Sequence, residues 1–327
     1  MSTRSLPAVE QRETVSDRPR LVFTGNVIVD IVMTIDALPA PGGDTIASSS
    51  TLAAGGGYNV MVAAERDGLP VVFAGQYGTG PFGDVVRAAL ATSGVDVVQS
   101  GLPDADSGYS VALVDASTER TFVTHVGAEG QLTSADLERV VVGSRDIVYV
   151  SGYSLAHPVN AGSLPRWLES LPSDVRVITD PSPLIGTLDP DVLGRVLRRT
   201  DVFSVNAREA AIAGSGADLA EAASVLLGRI RPRGAVVVRD GAAGCWVAGS
   251  SIPGSPVLVP GFPVRAVDSN GAGDAHGGVL AAALSRDDAV LDAARRANAA
   301  AAIAVTRSGP ATAPTSAEIE ALLANRS

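Results

Sequence analysis

The sequence predicts an α/β protein in which a mostly parallel central sheet lies between helix layers and a small second β-sheet forms a lid. Three observations predict it. From Asp146 onward short apolar runs alternate with helical patterns: Ile147 to Val150, Leu164 to Ser170, Val175 to Thr179, Val192 to Arg198, Val202 to Val205. Such alternation is βα winding, whose crossovers lay the strands parallel. Leu21 to Val29 is a continuous apolar run, the pattern of a strand buried on both faces. Finally, 327 residues with 46% hydrophobic content suffice for one large core.

Composition removes several classes of function. The formal net charge of -10 argues against a nucleic-acid or anionic-membrane surface, which needs clustered positive charge. All 25 basic residues are arginine, so neither a P-loop lysine nor a Schiff-base lysine is present. The single Cys245 cannot form an internal disulfide or a cysteine metal cluster, in keeping with a reducing cytoplasm. His125, His157 and His276 stand far apart, without metal-ligand spacing. Residues 1–20 read as a flexible polar tail, the remainder 21–327 as one domain, and no apolar run is long enough to span a bilayer.

The first strand, Leu21 to Val29, is expected to end at Asp30 and to offer that carboxylate at the sheet's ligand-collecting edge. Lid strands are expected within about 34–52 and 107–126, where β-rich and small polar residues follow turn clusters such as Pro39 to Asp44. Ala54-Gly55-Gly56-Gly57-Tyr58-Asn59 opens a helix, with Asn59 in its first turn. Gly78 to Gly83 spells G-x-G-x-x-G, but no ribose-binding acid closes the next strand, so the glycines read as structural and a nicotinamide dehydrogenase is disfavoured. Asp180-Pro181 reads as a turn. Asn206 and Glu209 share one helix start, where they suit either a capping box or water-mediated Mg²⁺ binding. Arg239 to Gly244 reads as a glycine turn after a strand, with Arg239 suited to phosphate.

The densest signal is Asp268-Ser269-Asn270-Gly271-Ala272-Gly273-Asp274. An apolar β-type run, Val264 to Val267, leads into it, and an Ala-rich helix pattern follows. The first amides of a helix lack intrahelical partners and carry positive potential, so Gly271, Ala272 and Gly273 make an anion site. Asp274 inside that site would repel a resting phosphate, yet it suits the deprotonation of a hydroxyl attacking a phosphoryl group. Plain helix capping is the alternative.

This stretch, continued by Gly277, resembles the C-terminal signature of the PfkB/ribokinase family of carbohydrate kinases, with Ser269 and His276 in place of the usual Thr and Phe. The resemblance covers about residues 21 to 326. It implies a ribokinase-like three-layer sandwich with a β-sheet lid, and an ATP-dependent kinase that transfers a γ-phosphoryl group to a hydroxyl of a sugar. It implies Asp274 as base with Gly271 to Gly273 as the anion hole. Acceptor contacts would come from Asp30, Gly55, Gly56, Gly57 and Asn59, although Gly56 stands where ribokinases tend to have Lys. Nucleotide contacts would come from Asn206, Glu209, Arg239, Gly241, Gly244 and Asn298, with Mg²⁺ held through water at Glu209. Asp268 and the backbone near Gly309 match a monovalent-cation site, implying K⁺. A homodimer through the lid is also implied. A nucleoside kinase, with Tyr58 stacking on the base, and a catalytically silent sugar- or nucleotide-binding regulator are the alternatives.

Overall fold

A computed structural model describes residues 18–117, 119–214, 218–309 and 311–325; most of the expected tail, residues 1–17, lies outside the described residues. Strands β1 (Leu21–Phe23), β4 (Val71–Phe73), β5 (Asp96–Val97), β8 (Ile147–Ser151), β9 (Arg176–Asp180), β10 (Val202–Asn206), β11 (Ala235–Arg239), β12 (Gly244–Gly249) and β13 (Val257–Pro260) form one sheet. Strands β2 (Val27–Thr34), β3 (Ser49–Gly56), β6 (Tyr109–Val114) and β7 (Arg120–His125) form a second.

The large sheet runs β13-β12-β11-β10-β9-β8-β1-β4-β5. It is parallel from β11 to β5, and antiparallel only where the hairpin strands β12 and β13 join. Neighbouring residues along each strand point to opposite faces, and each face meets its own core. Phe23, Ile147, Tyr149 and Ile178 pack against the helices Tyr58–Arg66, Ala272–Ser285 and Val290–Ala304. Val22, Val148, Val150, Val177 and Phe203 pack against Pro158–Ser170, Pro190–Leu197 and Leu219–Leu227. Burial on both faces explains the unbroken apolar strand runs, and each fully buried Leu or Val contributes about 2 kcal/mol. Among the described residues no single helix is long and apolar enough to cross a membrane.

The small sheet runs β3-β2-β6-β7, with β2 antiparallel to β3, parallel to β6, and β6 antiparallel to β7. It begins earlier than the sequence suggests. Leu21 to Val29 is two strands in two different sheets, broken at Thr24-Gly25-Asn26. Phe23 is the reason Gly25 is needed there: a Cβ on Gly25 would lie 2.4 Å from the Phe23 ring. Asp30 therefore stands in the middle of β2, opposite Ala53 and Ser110, and not at the end of a central strand. The run Val264 to Val267 forms no strand; Val264 and Val267 are exposed, and the β structure lies earlier, in β13.

Candidate active site

Helix Ala272–Ser285 starts at Gly271, whose left-handed backbone (φ 73°) turns the chain into the first helical amides. Among the described residues, chain neighbours aside, no atom lies within 4 Å of where a Gly271 Cβ would stand, so there is open space beside this turn. The helix can sit this deep only because two of its faces are bare. A Cβ on Gly277 would be 2.6 Å from the Tyr149 hydroxyl, and one on Gly278 would be 2.3 Å from the Val60 carbonyl. Close packing on Tyr58–Arg66 then brings Asn59 to Asp274.

Asn59 is buried and spends both ends of its amide. Its Nδ2 donates to Asp274 Oδ2 at 3.2 Å, and its Oδ1 accepts from the Ala311 amide at 2.9 Å. The amide thus fixes the Asp274 carboxylate against the turn. Burial pushes Asp274 up to about 6, against the lowering effect of the Asn59 hydrogen bond and with help from the negative charges of Asp180 and Asp30. Asp30 is also pushed up to about 6, by burial. Its carboxylate occupies the space a Gly55 side chain would need: a Cβ there would fall 1.9 Å from Asp30 Oδ2. Gly56 (φ 60°) ends β3, and Gly57 lies flat on Phe23 with its amide donating to the Asn26 carbonyl at 2.8 Å. Asn59 thus touches Asp274, Asp30 lies against Gly55, and Asp30 is near enough to Asp274 for its charge to be felt there.

The C-terminal edge of the parallel strands supplies the other half. In register, Asn206 ends β10 beside Arg239 at the end of β11. Arg239 Nη1 donates to Asp180 Oδ2 and to Ser204 Oγ, both at 2.7 Å, and Nη2 lies 3.7 Å from Glu209 Oε2. The guanidinium is also 3.8 Å from the Cβ position of Gly273, so it borders the start of helix Ala272–Ser285. Glu209 is buried; its Oε2 accepts from the Asn206 amide at 2.8 Å and its Oε1 from Asn206 Nδ2 at 2.7 Å, while its own amide donates to Asn206 Oδ1 at 2.9 Å. That is a reciprocal cap. Burial and then Asp180 hold Glu209 above the usual carboxylate range. An arginine, an anion-binding helix start and a raised carboxylate beside open space are what phosphoryl transfer to a hydroxyl requires.

Residues 18–317 match the pfkB family carbohydrate kinase domain. The chain belongs to that family. It is a carbohydrate kinase, a phosphotransferase with an alcohol group as acceptor. The uncharacterized sugar kinase YegV of Escherichia coli (strain K12) is 31% identical over 313 residues, covering 94% of this chain and 95% of that one. Ribokinase of Haemophilus influenzae is 28% identical over 301 residues, covering 89% and 94%. A putative ribokinase II from E. coli, solved with ATP and Mg²⁺, has a TM-score of 0.77 at 23% identity and covers 94% of this chain and 100% of that one. The three-layer ribokinase-like fold expected from the sequence is therefore the fold of this kinase.

Several residues of the kinase stand elsewhere or do other work. Asn298 lies behind the catalytic helix start, donating to the Val259 and Pro260 carbonyls at 3.0 and 3.3 Å. Gly244 (φ 108°) lets β12 lie on β13, where a Cβ would be 2.2 Å from the Val259 carbonyl, whereas Gly241 (φ 54°) borders open space. The literal G-x-G-x-x-G is structural: Asp106 accepts from the Phe82 and Gly83 amides at 3.1 and 2.7 Å, so that helix start already holds a carboxylate. Asp268 is bound by Arg120, whose Nη2 donates to Oδ1 and Oδ2 at 2.8 and 2.9 Å. Among the described residues no group of three His, Cys, Asp or Glu side chains would hold a metal by itself. Sequence reasoning missed Asp180, read as a turn, and Arg120. Asp180 had a usable signal: it ends a buried strand at the same edge as Asn206.

Proposed function

We propose that this kinase phosphorylates a hydroxyl of a small free sugar with MgATP, using Asp274 as the base. The observation that carries the reading is the position of Asp274, in the first turn of the helix that starts at Gly271 and hydrogen-bonded to Asn59. With its carboxylate held near 6, Asp274 is ionised at neutral pH yet more basic than an ordinary Asp. It takes the proton of the acceptor hydroxyl as that oxygen bonds to the γ-phosphorus and the bond to the β-phosphate oxygen breaks, releasing ADP. The amides of Gly271, Ala272 and Gly273 and the Arg239 guanidinium stabilise the charge on the transferred group. Asn206 and Glu209, at the strand end beside Arg239, would orient the waters of a Mg²⁺ entering with the nucleotide, whose charge would offset that of the phosphates. Asp30 and the Gly55 to Gly57 backbone hold the other acceptor hydroxyls.

Two observations favour a sugar over a nucleoside. The Tyr58 hydroxyl is tied to Ser93 Oγ at 2.7 Å and the Ala89 carbonyl at 3.4 Å, so the ring packs on helix Pro81–Thr92 and is not free to stack on a base. Glycines and one carboxylate, the materials of the acceptor floor, suit hydroxyls. Val123 and Leu52, exposed on the small sheet, support pairing of two lids in a homodimer, and the buried reduced Cys245 supports a cytoplasmic setting. The test is ADP release measured against a panel of pentoses, hexoses and nucleosides. Turnover of a sugar with nucleosides inert is the expected result; turnover of a nucleoside alone would reverse the acceptor assignment.

A further inference from the structure

The family resemblance implies a monovalent cation beneath the catalytic loop, and the residues at that position do not fit one. Such an ion needs several oxygens with free lone pairs. Both Asp268 oxygens accept from Arg120, and Oδ1 accepts from the Asn270 amide as well, at 2.9 Å. The Val305 carbonyl accepts from the Val267 and Asp268 amides at 2.7 and 3.1 Å. The Ile303 carbonyl accepts from Thr306, by amide and hydroxyl, and the Ala304 carbonyl from the Arg307 amide. Each of these oxygens already accepts from at least one protein donor, and Asp268 and Val305 from two or more.

We infer that the Arg120 guanidinium is this kinase's built-in cation: it orders the loop Asp268 to Gly271 and removes the need for K⁺. A guanidinium carries the same unit charge as K⁺ and keeps it at every working pH. Its two contacts to one carboxylate fix direction as well as charge. With side-chain exposures of 29% and 15%, the Arg120 and Asp268 side chains are sheltered enough that salt screens the pair only partly. Arg120 opens β7 of the small sheet, 148 residues away in sequence, so the pair also ties the acceptor-side sheet to the loop that starts the anion hole. Arg120 acts through that loop and is a positioning residue.

The inference rests on the kinase reading only for its turnover arm, so a second readout on the ligand-free protein accompanies it. Amide hydrogen exchange over residues 267–275 is followed in K⁺, Na⁺ and tetramethylammonium buffers, with turnover measured alongside. In the wild type both are expected to ignore the ion. Arg120→Ala, cut at a partly exposed site, is expected to exchange roughly tenfold faster in the loop, the loss of one charge-assisted contact, and K⁺ is expected to restore little of the protection because the Val305, Ile303 and Ala304 carbonyls stay engaged by protein donors. Asp268→Asn, which keeps the shape and lacks the charge, is expected to loosen the loop without rescue by K⁺. Wild-type exchange or turnover that requires K⁺, or unchanged loop exchange in Arg120→Ala, overturns the inference. If the exchange pattern holds while no acceptor turns over, the kinase chemistry assigned above fails and the built-in cation stands.

Discussion

At the C-terminal edge of the large sheet Asp180, Ser204, Asn206, Glu209 and Arg239 satisfy one another before any ligand arrives, whereas the small sheet offers one carboxylate, Asp30, lying bare against Gly55. The first wall is a closed network of charge in which each group's partner is another protein group. The second keeps its hydrogen-bonding capacity for something else. On the function proposed above the difference has a reason: phosphate groups are the same in every nucleotide, so a wall that meets them can be prebuilt, whereas the acceptor's hydroxyls differ among sugars and a wall that meets them is better left unspent. Asp274 stands between the two, held by Asn59 and raised chiefly by burial, with Asp180 and Asp30 adding to the rise and Arg239 opposing it.

The largest expected effect comes from the residue between the walls. Asp274→Asn should lower turnover by about 10² or more while changing MgATP affinity only a few fold, because the base is lost and the amide cradle is kept. Activity of the wild type should rise with pH through about 6, as Asp274 and Asp30 lose their protons, and level off above it. The fold should respond in the opposite sense. A carboxyl whose native value is raised from 3.8 to about 6 binds protons more tightly when folded, so its stabilising protonation is lost as pH rises through 6. Asp274→Asn should therefore melt higher than the wild type at pH 8, by about 1 kcal/mol after allowance for its solvent-facing edge, and equally near pH 4. Near-normal turnover in this variant would remove the base from Asp274.

A smaller and one-sided effect is expected on the acceptor wall. Asp30→Ala should raise the acceptor KM by about tenfold or more, the worth of hydrogen bonds to a charged group, and spare the KM for ATP. Gly55→Ala should do the same without touching the carboxylate's chemistry, since the added Cβ would meet Asp30 Oδ2 at 1.9 Å and drive it aside. Loss of ATP affinity with acceptor affinity intact would exchange the two walls.

The charged wall was more legible in sequence than the acceptor wall. Strand-end positions such as Asn206 and Arg239 follow from apolar runs and a turn, both local signals, and the Asn206 and Glu209 cap follows from their spacing. The small sheet was only partly legible, because Leu21 to Val29 is apolar on both sides of its break and only the short run Thr24-Gly25-Asn26 marks it; periodicity does not tell one buried strand from two. Arg120 and Asp268 were not legible as a pair at all. Their contact joins strand β7 to the loop before the catalytic helix, and nothing at either position announces the other.

The smallest expected effect sharpens the comparison from behind the charged wall. His276, two residues after Asp274 and facing the core, is buried, and among the described residues neither ring nitrogen has a hydrogen-bond partner. Burial, followed by the positive charge of Arg239 and only partly offset by the Asn298 amide beside the ring, which lies outside hydrogen-bonding geometry, lowers it to about 3 from an ordinary 6.5. The unfolded chain therefore binds a proton there that the folded chain refuses, and stability is lost as pH falls through 6.5. His276→Phe, a similar volume without polar atoms, should leave turnover within about twofold, since the ring touches no reacting group. Its thermal stability should match or slightly exceed that of the wild type at pH 8, and the gap should widen on acidification to about 2 kcal/mol at pH 5, at 1.36 kcal/mol for each pH unit. Melts of both proteins across pH 5 to 8 read this directly. A gap that stays constant with pH would mean that His276 is protonated or hydrated in the folded state, and that the charged wall extends one helical turn deeper than the Arg239 network.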